Sequence, residues 1–380
     1  MQKLKNIYHL IQAVLATLWY GFPSRKLKVI GVTGTDGKTT TTHLIAHILK
    51  TAGKKVSFVS TVYASIGGQE SDIGFHVTTP SSFALQKLLK RSIDNNDEYF
   101  ILETTSHAID QNRIWGIDYE VGIITNITHE HLDYHKTFED YSKTKLKLLK
   151  MAKVGIKNTD NIASIARKIP NLTLFNQHNY SSAYMVCKRL GISEKDILKA
   201  MMTFELPKGR LDLVYDKDFK VIIDFAHTPN GFLQLLPAIR KLYLKKDGRL
   251  IHVFGSAGLR DFTKRPLMGE ASSKFADDIY VTEEDYRTEE LQKICDQIAS
   301  GIKEKNYQII PNRQEAINQA IMAAKKNDVV VLTGKAHEKS LCRGKTEYPW
   351  DEYAAVSKAL ENTTNTINPT NKQINVLINQ

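Results

Sequence analysis

A glycine-rich segment near the start of the chain has the composition of a phosphate-binding loop. The segment GVTGTDGKTT, residues 31–40, follows an apolar run and opens a helical pattern, which is the context that such a loop requires. Helix N-terminal amides point at bound phosphates, Lys38 can neutralise them and the Thr39 hydroxyl can reach Mg²⁺. A strict pattern would place a glycine at Val32, so the spacing differs from the commonest one. We predict a nucleoside triphosphate site; the alternative is a glycine turn that binds no nucleotide.

Two further groups of polar residues follow predicted strands. Glu103 ends the apolar run 99–102, and open α/β sheets bind ligands at such strand ends. The next run leads into the segment NITHEHLDYH, which contains His129, Glu130, His131, Asp133 and His135. Histidine and carboxylate ligands suit a divalent ion, and the sequence has no HExxH pattern or cysteine partner that would indicate structural zinc. Any one of these residues can have a structural role, but the whole cluster predicts a metal site.

Alternating strand and helix signals would position these residues. Apolar runs predict strands at residues 28–33, 56–60, 99–102, 121–125, 221–225, 250–254, 278–281 and 329–332. Helical periodicity predicts helices at residues 39–51, 81–93, 139–151, 231–244 and 313–325. Strands that are apolar on both faces and alternate with helices form parallel sheets covered on both sides. The predicted fold class is therefore α/β.

Pro207 and Gly209 interrupt the pattern just before a second series of strands. The tail from Glu361 is rich in Asn and Thr, with little apolar periodicity, and we expect it to fray. The predicted parts are a helical extension (1–25), a P-loop ATPase-like central domain with a parallel sheet (26–206), a Rossmann-like C-terminal α/β domain (207–360) and a flexible tail (361–380).

Charge and cysteine content narrow the protein class. Cys187, Cys295 and Cys342 form no CxxC pair, which suits a reducing compartment such as the cytoplasm and argues against a disulfide framework. The net charge of +11 over 380 residues is compatible with anionic ligands or an acidic membrane face, but a lysine-rich surface is the preferred explanation, because the lysines are spread along the whole chain. We find no nucleic-acid-binding motif and predict no nucleic-acid partner.

The longest apolar run, residues 7–20, is too short for a membrane span, which needs ~18–20 apolar residues. One helical stripe contains Ile7, Leu10, Ile11, Val14, Leu15 and Leu18. A nucleotide-binding strand starts soon afterwards, at Lys28, which argues against a signal peptide. We expect the stripe to pack against the protein body; contact with a membrane surface is the alternative.

The order of motifs resembles that of the Mur ligase family, and within it the UDP-N-acetylmuramoyl-tripeptide synthetase branch (MurE). In the first half, TGTDGKTT (33–40) resembles the family's TGTNGKTT, and ETTSH (103–107) with Gln111 and Arg113 resembles EVSSH…QxR. NITHEHLDYH (126–135) resembles NLSRDHLDYH, and YSKTK (141–145) resembles YxxxK. In the second half, Gly209-Arg210 resembles the family's GR, and DFAHTP (224–229) resembles DYAHTPD. Residues 254–269 resemble VFGCGGDRDxxKRPLMG, and GKAHE (334–338) resembles GKGHE. The resemblance covers roughly residues 27–358.

The resemblance implies roles for individual residues. The ATP-binding set is Gly34, Thr35, Asp36, Gly37, Lys38, Thr39, Thr40, Asn126, Arg210, Asp224 and His227. The metal set is Thr39, Glu103, His131 and Lys145, the last as a carbamate that reverses the charge of the side chain. Lys38, Lys145, His131 and Glu103 form the catalytic set. The substrate-binding set is Thr78, Thr79, Thr105, Ser106, Gln111, Arg113, Arg260, Asp285, Arg287, Gly334 and Glu338.

The implied activity is an ATP- and Mg²⁺-dependent amide ligase of peptidoglycan precursor synthesis. It would activate an acceptor carboxylate as an acyl phosphate, which an amine then attacks, and it would require the two domains to close. The implied acceptor is UDP-N-acetylmuramoyl-L-alanyl-D-glutamate, and the implied amine is meso-diaminopimelate.

Several features depart from the family pattern. The phosphate loop begins about thirty residues into the chain, without the family's uridine-binding domain before it, so the short N-terminal helix or a partner protein would have to hold a uridine nucleotide. Leu259 replaces an acid of the GGDRD-like segment. The segment EDYRTE stands where the family has DNPRTE; Arg287 is retained, and its guanidinium suits the distal carboxylate of diaminopimelate. Diaminopimelate is therefore favoured over lysine, although Arg287 can also be a solvated surface arginine.

Two other functions remain open. The first is a Mur-like ligase for another carboxylate acceptor, such as a folate polyglutamate, since those relatives also lack the uridine domain. The second is a regulatory ATP-binding subunit that depends on a partner, although the phosphate-loop and metal-set residues are all retained.

Overall fold

The computed structural model describes residues 2–74, 78–128, 130–157, 169 and 174–367. The chain divides into two compact units, Met1–Pro207 and Lys208–Gln380. Each unit contains a mainly parallel sheet covered by helices, so the α/β fold class is confirmed.

Unit 1 is built on a seven-stranded sheet. Its strands are β1 (Lys28–Thr33), β2 (Val56–Val59), β3 (Ala64–Ile66), β4 (Gln69–Ser71), β5 (Tyr99–Glu103), β6 (Tyr119–Ile124) and β7 (Ala152–Lys157). Its helices are α1 (Gln2–Tyr20), α2 (Lys38–Thr51), α3 (Ser82–Asp94), α4 (Ser106–Asp110), α5 (Leu132–His135), α6 (Phe138–Met151), α7 (Leu174–Arg189) and α8 (Glu194–Met202), with a 3₁₀ turn at Pro23–Lys26.

The strand order of unit 1 is β4-β3-β2-β5-β1-β6-β7. The five strands from β2 to β7 are parallel, whereas β3 and β4 add antiparallel at one edge. Because β1 lies between β5 and β6, the loops that follow these three strands leave the same edge of the sheet. That edge carries the phosphate loop, Glu103 and the segment from Asn126, so the topology gathers the motifs that the sequence places far apart.

Unit 2 has a six-stranded sheet in the order β12-β11-β10-β13-β9-β8, in which only β8 is antiparallel. Its strands are β8 (Asp212–Asp216), β9 (Lys220–Asp224), β10 (Leu250–Phe254), β11 (Asp278–Val281), β12 (Asn306–Ile309) and β13 (Val329–Thr333), and a separate hairpin contains β14 (Ser340–Arg343) and β15 (Thr346–Pro349). Its helices are α9 (Pro229–Tyr243), α10 (Lys264–Ser273), α11 (Leu291–Ala299), α12 (Arg313–Ala323) and α13 (Glu352–Ile367). Apolar side chains are buried on both faces of this sheet, as its continuous apolar strands predict.

Two expectations require correction. Helix α13 continues to Ile367, so the predicted frayed tail does not begin at Glu361; residues 368–380 lie outside the described ones. The stripe of α1 does not pack against the body as a whole, because Ile7, Ile11, Leu15 and Leu18 are all more than half exposed. The helix packs instead through its small residues Ala13, Ala16 and Thr17, which are fully buried.

Candidate active site

The phosphate loop of unit 1 joins β1 to the N-terminus of α2. Gly37 precedes the helix with φ 79°, a left-handed conformation that glycine adopts without strain. A Cβ atom on Gly34 would lie 1.9 Å from Thr125 Oγ1, so the backbone fits only without a side chain. Lys38 Nζ donates to the Thr35 carbonyl over 2.8 Å, and Asn126 Oδ1 accepts from the Asp36 amide over 2.9 Å. The loop is thus held by the residues that follow β6 on one side and by its own lysine.

Glu103 and Thr39 lie together at the sheet edge. Glu103 is 1 % exposed, and its Oε1 accepts from Thr39 Oγ1 over 3.2 Å and from Thr61 Oγ1 over 2.8 Å. The Thr61 amide donates to the other carboxylate oxygen. Mg²⁺ is bound by one or two protein oxygens together with waters and phosphate oxygens, so this hydroxyl–carboxylate pair beside a phosphate loop fits that ion.

Lys145 projects from α6 into the interior of unit 1. It is 2 % exposed; its Nζ donates to the Gly34 carbonyl over 2.7 Å and lies 4.5 Å from the centre of the Tyr141 ring. Burial, followed by repulsion from Lys38, holds the pKa of Lys145 well below its usual value. The Tyr141 hydroxyl lies 3.0 Å from Thr35 Oγ1, so the same helix contacts the phosphate loop twice.

The histidines after β6 form an aromatic cluster. His131 has φ 56°, an uncommon conformation for a residue with a side chain, and its Nε2 lies 3.7 Å from the carboxylate of buried Glu130. Its ring stands edge-on to that of His107, with centroids 4.9 Å apart. His135 Nε2 lies 3.0 Å from Ser106 Oγ, and burial lowers the pKa of His135. His129 of the predicted cluster lies outside the described residues. In the part of unit 1 that is described, no three His, Cys, Asp or Glu side chains already converge as a metal site.

The predicted acceptor residues lie around Glu103. Thr79 Oγ1 donates to the Glu103 carbonyl over 3.0 Å and lies 3.3 Å from Thr105 Oγ1. Thr78 Oγ1 lies 3.1 Å from Thr61 Oγ1. Arg113 Nη1 donates to the Thr79 carbonyl over 2.6 Å, and burial lowers the pKa of this guanidinium. Gln111 is the C-terminal cap of α4, the helix that Thr105 caps at its start.

Arg210, Asp224 and His227 come together at the start of unit 2. Asp224 accepts from the backbone amides of Leu211 and Ala226, each over 2.7 Å, and its burial raises the pKa of the carboxyl. The guanidinium of Arg210 stacks 4.9 Å from the Phe225 ring centre, and His227 Nδ1 lies 2.9 Å from the Phe225 carbonyl. The three predicted residues therefore share one local structure.

The predicted amino-acid pocket contains a buried charge cluster. Lys335 Nζ lies 2.9 Å from Asp285 and 2.5 Å from Glu338; burial lowers the lysine pKa, but the two carboxylates outweigh it and raise the pKa overall. Within the described residues, Glu284 Oε2 is buried without a hydrogen-bond partner. Gly334, with φ 101°, lies directly beside it. A buried carboxylate oxygen of this kind suits an ammonium donor from a ligand.

Arg287 and Arg260 differ in their surroundings. Arg287 has φ 54° and is half-buried, with Nη1 donating to the Gly258 carbonyl over 2.8 Å and its amide donating to the Cys342 carbonyl. A strained, anchored backbone does not match a freely solvated surface arginine. Arg260 is exposed, next to Leu259, whose φ is 54°.

Some residues of the site had no signal in the sequence. Thr61 donates twice to Glu103, and the Asn179 amide group fits against Gly37, yet neither lies in a recognisable motif. Lys335 and Glu284 stand inside motif segments and could have been added to the predicted substrate-binding set on that ground.

Two known domain families match the chain in order. The Mur ligase middle domain matches residues 32–207, and the Mur ligase, glutamate ligase domain matches residues 209–336. The chain belongs to the Mur ligase family. The UDP-N-acetylmuramoyl-L-alanyl-D-glutamate–2,6-diaminopimelate ligase 1 of Clostridium acetobutylicum is 36 % identical to this Mur ligase over 92 % of the chain and 81 % of its own length. The corresponding ligase of Aquifex aeolicus is 36 % identical over 90 % and 79 %.

Solved structures agree with this assignment. A UDP-N-acetylmuramoyl-L-alanyl-D-glutamate–2,6-diaminopimelate ligase, 25 % identical, superposes with a TM-score of 0.53 over 89 % of this chain and 79 % of that one. Escherichia coli FolC in complex with ADP gives a TM-score of 0.68 over 93 % of both chains at 18 % identity, a likeness of fold alone. The family uses ATP and its named relatives are ligases, so this Mur ligase is an ATP-dependent ligase.

Proposed function

We propose that this Mur ligase adds meso-diaminopimelate to UDP-N-acetylmuramoyl-L-alanyl-D-glutamate. The observation that carries the proposal is the Thr39–Glu103 pair beside an intact phosphate loop, in a chain about 35 % identical to ligases named for this reaction. The γ-phosphoryl group of ATP passes to the acceptor carboxylate, giving an acyl phosphate and ADP. The amine then attacks the acyl carbon, phosphate leaves, and the amine loses a proton.

The charges of the site account for the first step. An acceptor carboxylate and a triphosphate repel each other, so cationic groups must offset both before transfer. We assign the triphosphate to Lys38 and to the loop amides of residues 34–40, with Asn126 holding the loop through its bond to the Asp36 amide. Thr39 and Glu103 would hold Mg²⁺, which neutralises phosphate charge when bound. Arg210, Asp224 and His227 are assigned to the nucleotide.

We assign a carbamate to Lys145 and a metal-ligand role to His131. The lowered pKa of buried Lys145 favours the neutral amine, which is the form that adds CO₂ and releases a proton to give a carbamate. Its burial beside the phosphate loop disfavours a second ammonium close to Lys38. A carbamate would convert this nitrogen from a repulsive group into an oxygen ligand.

The acceptor and amine are assigned to separate groups of residues. Thr78, Thr79, Thr105, Ser106, Gln111 and Arg113 would hold the acceptor peptide near Glu103. For the amine, Arg287 would bind the distal carboxylate of diaminopimelate, while Glu284 and the charge cluster of Asp285, Lys335 and Glu338 would bind ammonium groups beside Gly334. Arg260 is assigned to the same pocket.

Phosphate release by the purified protein tests the proposal. We expect release with ATP, Mg²⁺ and UDP-N-acetylmuramoyl-L-alanyl-D-glutamate to depend on diaminopimelate, and lysine to substitute poorly. Lys38→Ala should lower the rate by about 10²–10³-fold, the size of a lost charge-stabilising group. Lys50→Ala, on the same helix, is the matched control and should leave the rate unchanged.

The alternatives predict different outcomes, one in the same assay and one in cells. Release that requires a folate and glutamate, and ignores the muramoyl peptide, would replace the proposal with a folate-type ligase. Product formation that survives Lys38→Ala in cells would indicate a regulatory subunit instead.

We place the enzyme in the cytoplasm, where ATP is available and where its three buried free cysteines would stay reduced.

A further inference from the structure

Helix α1 is anchored to unit 1 through a narrow face of small residues. Ala13, Ala16 and Thr17 are fully buried. Thr17 Oγ1 donates to the Trp115 carbonyl over 3.2 Å and accepts from Gln86 Nε2 over 2.9 Å. The orientation of the helix is therefore fixed by packing and by hydrogen bonds.

The opposite face of α1, here called the outer stripe, is apolar and exposed. Its members are Leu4 (72 % exposed), Ile7 (54 %), Tyr8 (59 %), Ile11 (54 %), Leu15 (54 %), Leu18 (58 %) and Trp19 (80 %). Water-soluble surfaces rarely place so many large apolar side chains on one helix unless the face binds something. Since α1 is held through its small residues, the outer stripe cannot turn inward without breaking the Thr17 bonds.

The charges around the outer stripe indicate what covers it. No Asp or Glu precedes Asp36, whereas Lys3, Lys5, Arg25 and Lys26 are all exposed, with Arg25 3.5 Å from Asp118. Helix α3, which packs beside α1, exposes Lys87, Lys90 and Arg91 on its surface, and its Asp94 is bonded to Lys90. An apolar row flanked by lysines, with Tyr8 and Trp19 among its members, has the composition of a helix that lies in an anionic lipid interface.

A second copy of the chain is a poorer partner for this face. Paired helices normally place acidic and basic residues opposite each other beside the apolar seam. Helix α1 contains Lys3 and Lys5 and no acidic residue, so two copies side by side would offer no such pairs. Among the described residues, no helix has the length and apolar character to cross a bilayer.

We propose that the outer stripe of α1 docks this Mur ligase on the surface of an anionic lipid bilayer. The first two turns of α1 also contact α4 and α5: Asn6 Nδ2 donates to Asp110, and Gln2 Nε2 donates to Tyr134 Oη, which itself donates to Asp110. Docking therefore involves a helix that is hydrogen-bonded to Asp110 of α4, which lies between the predicted acceptor residues Ser106 and Gln111. Docking through this face does not depend on which acceptor or amine the enzyme uses.

Vesicle flotation of the full-length protein tests the docking. We expect the protein to float with vesicles of phosphatidylcholine containing about 30 % phosphatidylglycerol, and much less with pure phosphatidylcholine or at high salt. Ile11→Asn/Leu15→Asn should lower the bound fraction by at least about tenfold. Lys3→Glu/Lys5→Glu should lower it specifically on anionic vesicles, by about fivefold or more.

Matched controls and oligomeric state complete the experiment. Tyr307→Asn/Met322→Asn changes two exposed apolar residues of unit 2 and should leave flotation unchanged. Circular dichroism should show the same folded content in every variant. The proposal is overturned if wild-type protein stays with the soluble fraction, or if light scattering shows a dimer that Ile11→Asn/Leu15→Asn converts to a monomer while vesicle binding is absent.

Discussion

The surroundings of the buried Lys145 amine disfavour its charged form. Its nitrogen is bonded to a loop carbonyl, lies over an aromatic ring and is removed from water. These contacts, together with the nearby Lys38, make the ammonium form costly and favour the neutral amine. The same environment would stabilise the carbamate only if a cation lies opposite it, which links the proposed modification to the metal.

The Lys145 carbamate leads to a chemical-rescue prediction. Lys145→Ala should lose about 10²–10³-fold in rate, because a charge-stabilising ligand is lost. Short carboxylic acids should restore part of the rate, since their oxygens can occupy the space of the carbamate. Lys143→Ala, exposed on the same helix and paired with Glu139, serves as the control and should behave as wild type. Absence of rescue, together with an unmodified lysine in the native protein mass, would contradict the assignment.

At the level of elements, α13 is fastened to unit 2 by a buried ion pair. Arg313, at the start of α12, donates from Nε to Glu352 over 2.9 Å, and both side chains are 0 % exposed. Trp350 Nε1 donates to the same carboxylate over 2.7 Å. Two helices far apart in sequence thus depend on one carboxylate for their attachment.

Breaking this pair should destabilise unit 2 strongly. Glu352→Ala leaves a buried guanidinium without its counter-ion, and we expect unfolding free energy to fall by about 3–5 kcal/mol. Glu361→Ala, exposed on the same helix, should change it by less than about 0.5 kcal/mol. Arg313→Met/Glu352→Leu should recover much of the loss. Urea unfolding followed by tryptophan fluorescence measures all three, and a loss for Glu352→Ala no larger than that for Glu361→Ala would show that the pair contributes little.

At the level of the whole molecule, each unit has its own core, and unit 2 contains a histidine held neutral. His252 is fully buried between Ser272 Oγ and Thr333 Oγ1, at 2.9 and 3.0 Å. Burial, and then the charge of Arg313, lower its pKa to about 3. Between that value and the ordinary pKa of 6.5, the unfolded chain binds a proton that the folded unit does not. The contribution of neutral His252 to the free energy of unfolding is therefore fully present above pH 6.5, and it is lost as the pH falls from 6.5 toward about 3.

Acid titration of unfolding checks this sign. Below pH 6.5, His252 should contribute a slope that approaches about 1.4 kcal/mol per pH unit. His252→Gln should unfold more easily than wild type at pH 8, and the gap should narrow as pH falls toward 4. A gap that stays constant with pH would mean that His252 does not carry this dependence.

The sequence by itself determined the long apolar strands and the position of the phosphate loop. The apolar runs predicted β1, β10 and β11 with their observed bounds, because a strand buried on both faces must be apolar throughout. The sequence also predicted the phosphate loop, because the glycines and the lysine that define this loop all lie within one short segment of the chain.

Only the tertiary structure decided the rest, because contacts between distant segments leave no local pattern. Thr61 meets Glu103 since β2 and β5 are neighbours in the sheet, and Lys145 reaches Gly34 since α6 packs beside the loop. The outer stripe of α1 is the clearest case. Its periodicity predicted an apolar face. The face that packs against the protein is instead the one with Ala13, Ala16 and Thr17, because small side chains allow close packing and Thr17 forms hydrogen bonds there, so the apolar face meets solvent.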